Sequence, residues 1–195
     1  MSPPSFSAAR PLLLVAPLVS STASLLFAWD QHLFLSLLAH PTIAEPVTAG
    51  PEPHAGTNAL LPPYFRRFFR RGLGRVVTFL AVTTWSSLGA VHHFGPLLRS
   101  KGSLGWYVGA ASLAVGHLLF VPAVAYPIKS ISENEGGGVE VPVEDAAQKD
   151  AAGGGGLSNI DHLNRWLRVN LVRTLTTDTG AWICAVTAVT KTFTA

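Results

Sequence analysis

The stretch that decides the fold is GSLGWYVGAASLAVGHLLFVPAVAYPI, residues 102–128, which contains no Asp, Glu, Lys or Arg. A helix needs about 20 consecutive apolar residues to cross a bilayer, so this stretch predicts a transmembrane helix. Small residues recur within about 60° of one another on its helical wheel: Gly105, Gly109, Ser112 and Gly116. Such a stripe lets a neighbouring helix approach closely, and we expect the segment to pack in a helical bundle.

The composition of the whole chain agrees with a membrane protein. Of its 195 residues 48% are hydrophobic and only 13% are charged, about half the charged fraction of an average soluble domain. A single cysteine, Cys184, excludes an intrachain disulfide and a cysteine-cluster metal site. The formal charge of +3 does not indicate nucleic-acid binding, because the basic residues lie beside apolar runs where they meet lipid phosphates.

Three more segments are long enough to span a bilayer: residues 11–38, 76–98 and 167–189. The second contains no Asp, Glu, Lys or Arg, whereas the last carries several polar residues in its first half. We therefore predict an all-α fold, a single membrane domain over residues 1–195 that forms a bundle of four transmembrane helices. For residues 1–39 a cleaved signal peptide is the alternative, although the apolar run outlasts an ordinary signal core of about 7–15 residues.

The segment YFRRFFRR, residues 64–71, has the pattern of an amphipathic helix. At 100° per residue its four aromatic rings fall on one side and its four arginines on the other. Pro62 and Pro63 suit the first turn of such a helix. We predict an interfacial helix over residues 63–72, with the rings among acyl chains and the guanidiniums on phosphates. This helix anchors the chain in the membrane at the entry to the next span, or alternatively it admits an apolar substrate.

The remaining residues connect these helices. Residues 40–63 contain six prolines and predict a loop. Residues 130–158 hold six acidic side chains and two glycine runs, which predict a disordered acidic and Gly-rich linker.

Basic residues concentrate in the first and third loops, so the positive-inside rule places both termini on the lumenal or outer side. We expect an integral protein of the endoplasmic reticulum or another internal membrane.

Polar residues in the last predicted span need an explanation, because an ionisable group inside a span costs about 2.5–3.5 kcal/mol. Trp166, Asn170, Arg173 and Thr177 share one face of that helix within about 80°, and we expect this face to turn inward. Asp178 lies about 140° from Arg173, so we expect each to find a partner on another helix. The alternative is an interfacial position, with Arg173 reaching the headgroups.

Histidines in two other spans are candidate functional groups. His92 shares a stripe with Trp85 in residues 76–98, and His117 lies deep in residues 102–128. For each of them the alternative is a neutral histidine that only donates a hydrogen bond across the bundle. Their spacing matches no metal-ligand signature, and no nucleotide-binding glycine motif opens a helix. We therefore expect no metal and no prosthetic group.

Short segments of the chain resemble the fungal anthrone oxygenase (noranthrone monooxygenase) family of small four-helix membrane proteins. The resemblance rests on Trp166-x-x-x-Asn170-x-x-Arg173, on the segment from Pro63 to Gly72, and on Phe120-x-Pro122. It implies oxidation of an anthrone-like aromatic polyketide by molecular oxygen, in secondary metabolism and without a cofactor.

Under this hypothesis a base removes a proton from the substrate, and the resulting electron-rich anion reacts with oxygen directly. His92 is the candidate base, or His117 in its place, while Arg173 and Asn170 stabilise the oxyanion. The candidate catalytic residues are then His92, His117, Asn170 and Arg173, and the candidate substrate-binding residues are Trp85, Trp166 and Thr177.

Two functions without catalysis stay open. The protein could be a membrane scaffold that holds biosynthetic enzyme partners near the bilayer, or a small transporter of hydrophobic metabolites. The transporter fits less well because no span is visibly broken and no repeat symmetry is present. The oligomeric state is open in all three cases.

Overall fold

The computed structural model describes residues 9–39, 55–133 and 157–194, and every regular element in these ranges is a helix. In chain order the helices are α1 (Ala9–Ala39), α2 (Ala55–Ser100), α3 (Leu104–Gly116), α4 (Val121–Glu133), α5 (Asn159–Arg173) and α6 (Thr179–Phe193). A 3₁₀ turn, His117–Phe120, joins α3 to α4, and a π-helical turn, Thr174–Asp178, joins α5 to α6. The predicted all-α class is confirmed for these residues.

Two of the described helical stretches are long and apolar enough to cross a membrane. They are Arg10–Ala39 and Leu104–Glu133, each with a mean hydropathy of 1.9, and they coincide with the predicted spans 11–38 and 102–128. The predicted span 76–98 lies within the longer helix α2, and the predicted span 167–189 runs from α5 through the π-helical turn into α6. The bundle of four spans stays a prediction.

Contacts along the chain divide it into two compact units. The first comprises Met1–Asp30, Leu73–Val121 and Leu171–Ala195, and the second comprises Gln31–Gly72 and Pro122–Asn170. The buried apolar residues of the first unit include Leu14, Ala90, Leu98, Tyr107 and Ala188. Tyr107 is fully buried, and its hydroxyl donates a 2.9 Å hydrogen bond to the carbonyl of Leu14, as a buried phenol requires.

The packing of α3 against α6 in the first unit confirms part of the predicted small-residue stripe. A methyl group at Gly109 would lie 3.1 Å from Cys184 Sγ, and one at Gly116 would lie 3.6 Å from the methyl of Thr177. A methyl group at Gly105 would meet no atom within 4 Å, and Ser112 is exposed. The stripe is therefore wrong for these last two residues, since the neighbouring helix contacts only part of it.

The second unit is built around aromatic and branched side chains. Phe65 has no exposed surface, and its ring packs edge-on against Trp166 with 5.9 Å between centroids. The predicted interfacial helix 63–72 is not a separate element, because α2 begins at Ala55 and includes it. The four arginines of that segment are exposed as predicted, but Phe65 lies in a protein core rather than among acyl chains.

Pro62 and Pro63 lie in the third turn of α2, not in a first turn as predicted. Because proline has no amide hydrogen, the carbonyl of Asn58 loses its partner within the helix. Asn159 Nδ2 donates to that carbonyl at 3.2 Å, and the amide of Ile160 donates to Asn58 Oδ1 at 3.3 Å. The second bond also satisfies one amide in the first turn of α5, where amides lack helical partners.

The predicted connections are only partly described. The loop predicted over residues 40–63 is wrong for residues 55–63, which are helical, and residues 40–54 lie outside the described part of the chain. The linker predicted over 130–158 is wrong at its start, because α4 continues to Glu133. Residues 134–156 lie outside the described residues.

Candidate functional site

The 3₁₀ turn at the end of α3 positions His117 in the first unit. Pro122 cannot donate to the carbonyl of Leu118, four residues earlier, because it lacks an amide hydrogen. That carbonyl accepts from the amide of Val121 instead, which is the i→i+3 bond of a 3₁₀ turn. His117, the first residue of the turn, points into the protein with 8% of its side chain exposed.

The π-helical turn between α5 and α6 positions Asp178. The amide of Thr179 bonds to the carbonyl of Thr174, five residues earlier, so residues five apart face the same way. Arg173 Nε consequently lies 3.3 Å from Asp178 Oδ2. The prediction that Arg173 and Asp178 do not pair within their helix is wrong, because the helical wheel assumed a regular α-helix.

These two turns bring three ionisable side chains together. His117 Nδ1 lies 2.9 Å from Asp178 Oδ1, so the prediction that Asp178 has a partner on another helix is confirmed. The Asp178 side chain is 4% exposed and that of Arg173 is 11% exposed. With an ionised Asp178, Nδ1 of His117 carries the donated proton and Nε2 is the ring nitrogen that can accept one. We call these three residues the His–Asp–Arg cluster.

A small recess adjoins Asp178 in the same unit. Its lining comes from four helices and the π-helical turn: Ser21, Ser24, Leu80, Thr83, Ala114, Asp178 and Ala181. The space accommodates about one water molecule. A polycyclic aromatic substrate cannot enter a recess of this size.

The other predicted site residues lie elsewhere. Trp85 is 72% exposed, and His92 is exposed with its ring 4.8 Å from that of His93; neither joins the His–Asp–Arg cluster. Asn170 and Trp166 are buried in the second unit, at 1% and 4% exposure. The roles assigned to these four residues stay predictions.

Thr177 belongs to the first unit, close in sequence to Asp178. Its hydroxyl donates to the carbonyl of Arg173 at 3.0 Å, and its methyl group faces Gly116. Both ends of the side chain are thus engaged in helix packing, and its role in substrate binding stays a prediction.

Asp178 itself was missed as a site residue by the sequence reasoning. The signal that could have found it is an acidic residue within an apolar segment, together with a histidine deep in another. Within residues 9–39, 55–133 and 157–194, no three His, Cys, Asp or Glu side chains form a metal-ligand set. The side chains of the cluster supply groups for acid–base and electrostatic chemistry.

The fold and the cluster define a small, largely apolar helical protein with a buried group of three ionisable side chains. The chain is 30% identical to epoxidase gkaX of Penicillium citrinum over 189 residues, which are 94% of this chain and 96% of that protein. It is 27% identical to the probable epoxidase scpX of Mollisia scopiformis, over 92% of this chain and 95% of that protein. It is also 27% identical to epoxidase pydX of an Acremonium species, over 92% and 93%.

The chain belongs to the anthrone oxygenase-like family of fungal secondary-metabolite proteins, which confirms the family resemblance read from the sequence. No family model and no solved structure matches the chain. The names of the relatives support an oxygenase-type role in fungal secondary metabolism.

Proposed function

We propose that this protein is a membrane-embedded oxygenase that uses molecular oxygen on an electron-rich aromatic polyketide, with the His–Asp–Arg cluster as its acid–base centre. The observation that carries the proposal is the buried contact between His117 Nδ1 and Asp178 Oδ1. A carboxylate on one ring nitrogen fixes the tautomer and stabilises the imidazolium that forms when the other nitrogen accepts a proton. The names of the three relatives support oxygenase chemistry independently.

In the proposed reaction His117 Nε2 removes a proton from an acidic C–H or O–H group of the substrate. Of the two histidines that the sequence suggested as the base, His117 has the carboxylate partner, whereas His92 is exposed. Arg173 pairs with Asp178 through Nε, and its two terminal nitrogens carry further donors that can stabilise the substrate oxyanion.

The electrons come from the substrate, so the reaction needs no external reductant. The carbanion adds oxygen to form a peroxide, which takes up a proton. For an anthrone, loss of water from this peroxide converts the CH₂ group to a carbonyl, and the sum is anthrone plus O₂ giving anthraquinone plus H₂O. For a hydroquinone, attack of the peroxide on the adjacent double bond gives a quinone epoxide plus H₂O. The second outcome matches the name that the relatives carry.

The proposal includes the membrane. We infer four spans, in the Arg10–Ala39 and Leu104–Glu133 helices and in the predicted segments 76–98 and 167–189, within the endoplasmic reticulum or another internal membrane. A hydrophobic substrate then reaches His117 from the bilayer. Molecular oxygen is the co-substrate, with no resident cofactor, and other biosynthetic enzymes supply the polyketide.

Oxygen consumption by the purified protein in detergent tests the proposal. The assay supplies an anthrone or a substituted hydroquinone, no reductant and no added metal. We expect uptake of oxygen that His117→Gln abolishes and that the matched control His93→Gln, at an exposed histidine, retains. Undiminished uptake by the His117 variant would remove this residue as the base, and loss at His92→Gln alone would move that role to His92.

A further inference from the structure

The recess beside Asp178 is lined in part by hydroxyl-bearing residues that the proposed reaction does not use. Ser21, Ser24 and Thr83, from two helices, line it together with three apolar residues and with Asp178, whose carboxylate is buried. An apolar cavity of this size would stay dry, whereas a cavity with two to four polar partners holds a water molecule. The four polar residues of the lining are enough to hold one water molecule.

The carboxylate of Asp178 has acceptor capacity to spare. An ionised carboxyl group offers about four lone-pair positions, and the His–Asp–Arg cluster occupies one position on each oxygen. A carboxylate that is 4% exposed needs further hydrogen bonds to offset the loss of its hydration. A donor in the adjoining recess would supply one.

The hydroxyls around the recess are arranged to receive such a ligand. The Ser20 hydroxyl has a carbonyl acceptor at Ala16, at 2.9 Å, and when its single proton goes there, Thr83 is the donor in the 2.7 Å contact between Ser20 and Thr83. Ser21 likewise donates to the carbonyl of Leu18 at 3.2 Å. In this arrangement Thr83 and Ser21 have only lone pairs to offer to the recess.

We infer that the recess is a binding site for one water molecule, which donates to Asp178 and to Thr83 and accepts from the hydroxyl of Ser24. Three hydrogen bonds are the usual number for a buried water. By completing the bonding of the Asp178 carboxylate, this water fixes its orientation toward His117. Ser24 and Thr83 are positioning residues that act on the base through the water and through Asp178. This role rests on the proposed function, whereas the water site does not.

A crystal structure of the full chain in lipid tests the site directly. We expect density for one water within hydrogen-bonding distance of Asp178 and Ser24, and its loss in Ala114→Val, which fills the recess with two methyl groups. A recess that contains no density in the unmodified protein, or density only for an apolar molecule, would overturn the inference.

Turnover of the variants tests the positioning role. We expect Thr83→Val and Ser24→Ala to lower kcat about tenfold, the effect of losing about one hydrogen bond to the water, with KM little changed. The control is Thr78→Val on the same helix, where an exposed hydroxyl bonds only to the carbonyl of Gly74. Observed water together with control-like kcat and KM in both variants would overturn the positioning role. A protein without any oxygenase turnover refutes the proposed function, while the density still decides the water site.

Discussion

Asp178→Asn removes the central charge of the His–Asp–Arg cluster while keeping the shape of the side chain. The carboxylate accepts from His117 at 2.9 Å and from Arg173 at 3.3 Å and is almost fully buried. An amide has one acceptor oxygen, so at least one of these bonds is lost, and a hydrogen bond to a charged group contributes about 1.5–3 kcal/mol. Arg173 also loses its buried countercharge, which brings the expected decrease in the free energy of unfolding to about 3 kcal/mol.

The same substitution has a larger effect on catalysis. Without the carboxylate the imidazolium of His117 is not stabilised, and we expect kcat to fall about 100- to 10,000-fold, the contribution of a positioned base. The assays are denaturant unfolding in detergent and single-substrate turnover, with Asp30→Asn as the control at an exposed carboxylate in the same unit. A variant that keeps both the unfolding free energy and the turnover of the control would refute the assignment of the cluster.

Three further predictions concern two sites of helix packing and Arg173. Gly109→Val brings methyl groups against Cys184, and we expect it to lower the free energy of unfolding by about 1–3 kcal/mol. Gly105→Ala meets no atom within 4 Å, and we expect it to raise the free energy of unfolding by about 0.5–1 kcal/mol in the same unfolding experiments. We expect Phe65→Ala to lower the free energy of unfolding by about 3–5 kcal/mol. Tyr64→Ala, at a side chain that is 41% exposed, should lower it by less than about 1 kcal/mol. Equal losses for the two variants would contradict the described core. Arg173→Lys should lower kcat more than it raises KM, because lysine cannot pair with Asp178 and hold an oxyanion at once, and unchanged kinetics would exclude Arg173 from the reaction.

Hydrophobic runs were sufficient to predict the apolar parts of the helices, but not their full lengths. The stretch 102–128 predicts a span because it has no charged residue, and the structure has helix from Leu104 to Glu133 apart from the 3₁₀ turn. The helix ends were less predictable. Proline usually breaks a helix, so residues 55–63 read as a loop, yet Asn159 supplies the hydrogen bond that Pro62 removes from α2. Such compensation comes from a residue about a hundred positions away and leaves no local signal.

The candidate site was predicted in part for a similar reason. His117 and Arg173 stood out as polar groups in apolar segments, and both belong to the cluster. Asp178 was separated from Arg173 on the helical wheel because a regular repeat of 3.6 residues was assumed. The π-helical turn at residues 174–178 changes that repeat. No rule of composition or spacing predicts the position of such a turn. Trp85 and His92 are exposed residues of α2, and they do not belong to the cluster.

The most direct test of the proposed oxygenase uses ¹⁸O₂ with the purified protein, an anthrone or hydroquinone substrate and no reductant. The proposed reaction places one ¹⁸O atom in the product and the other in water, at a rate that His117→Gln abolishes and His93→Gln preserves. Product formation without incorporated ¹⁸O, or incorporation that requires an added reductant, would contradict an acid–base oxygenase built on His117 and Asp178.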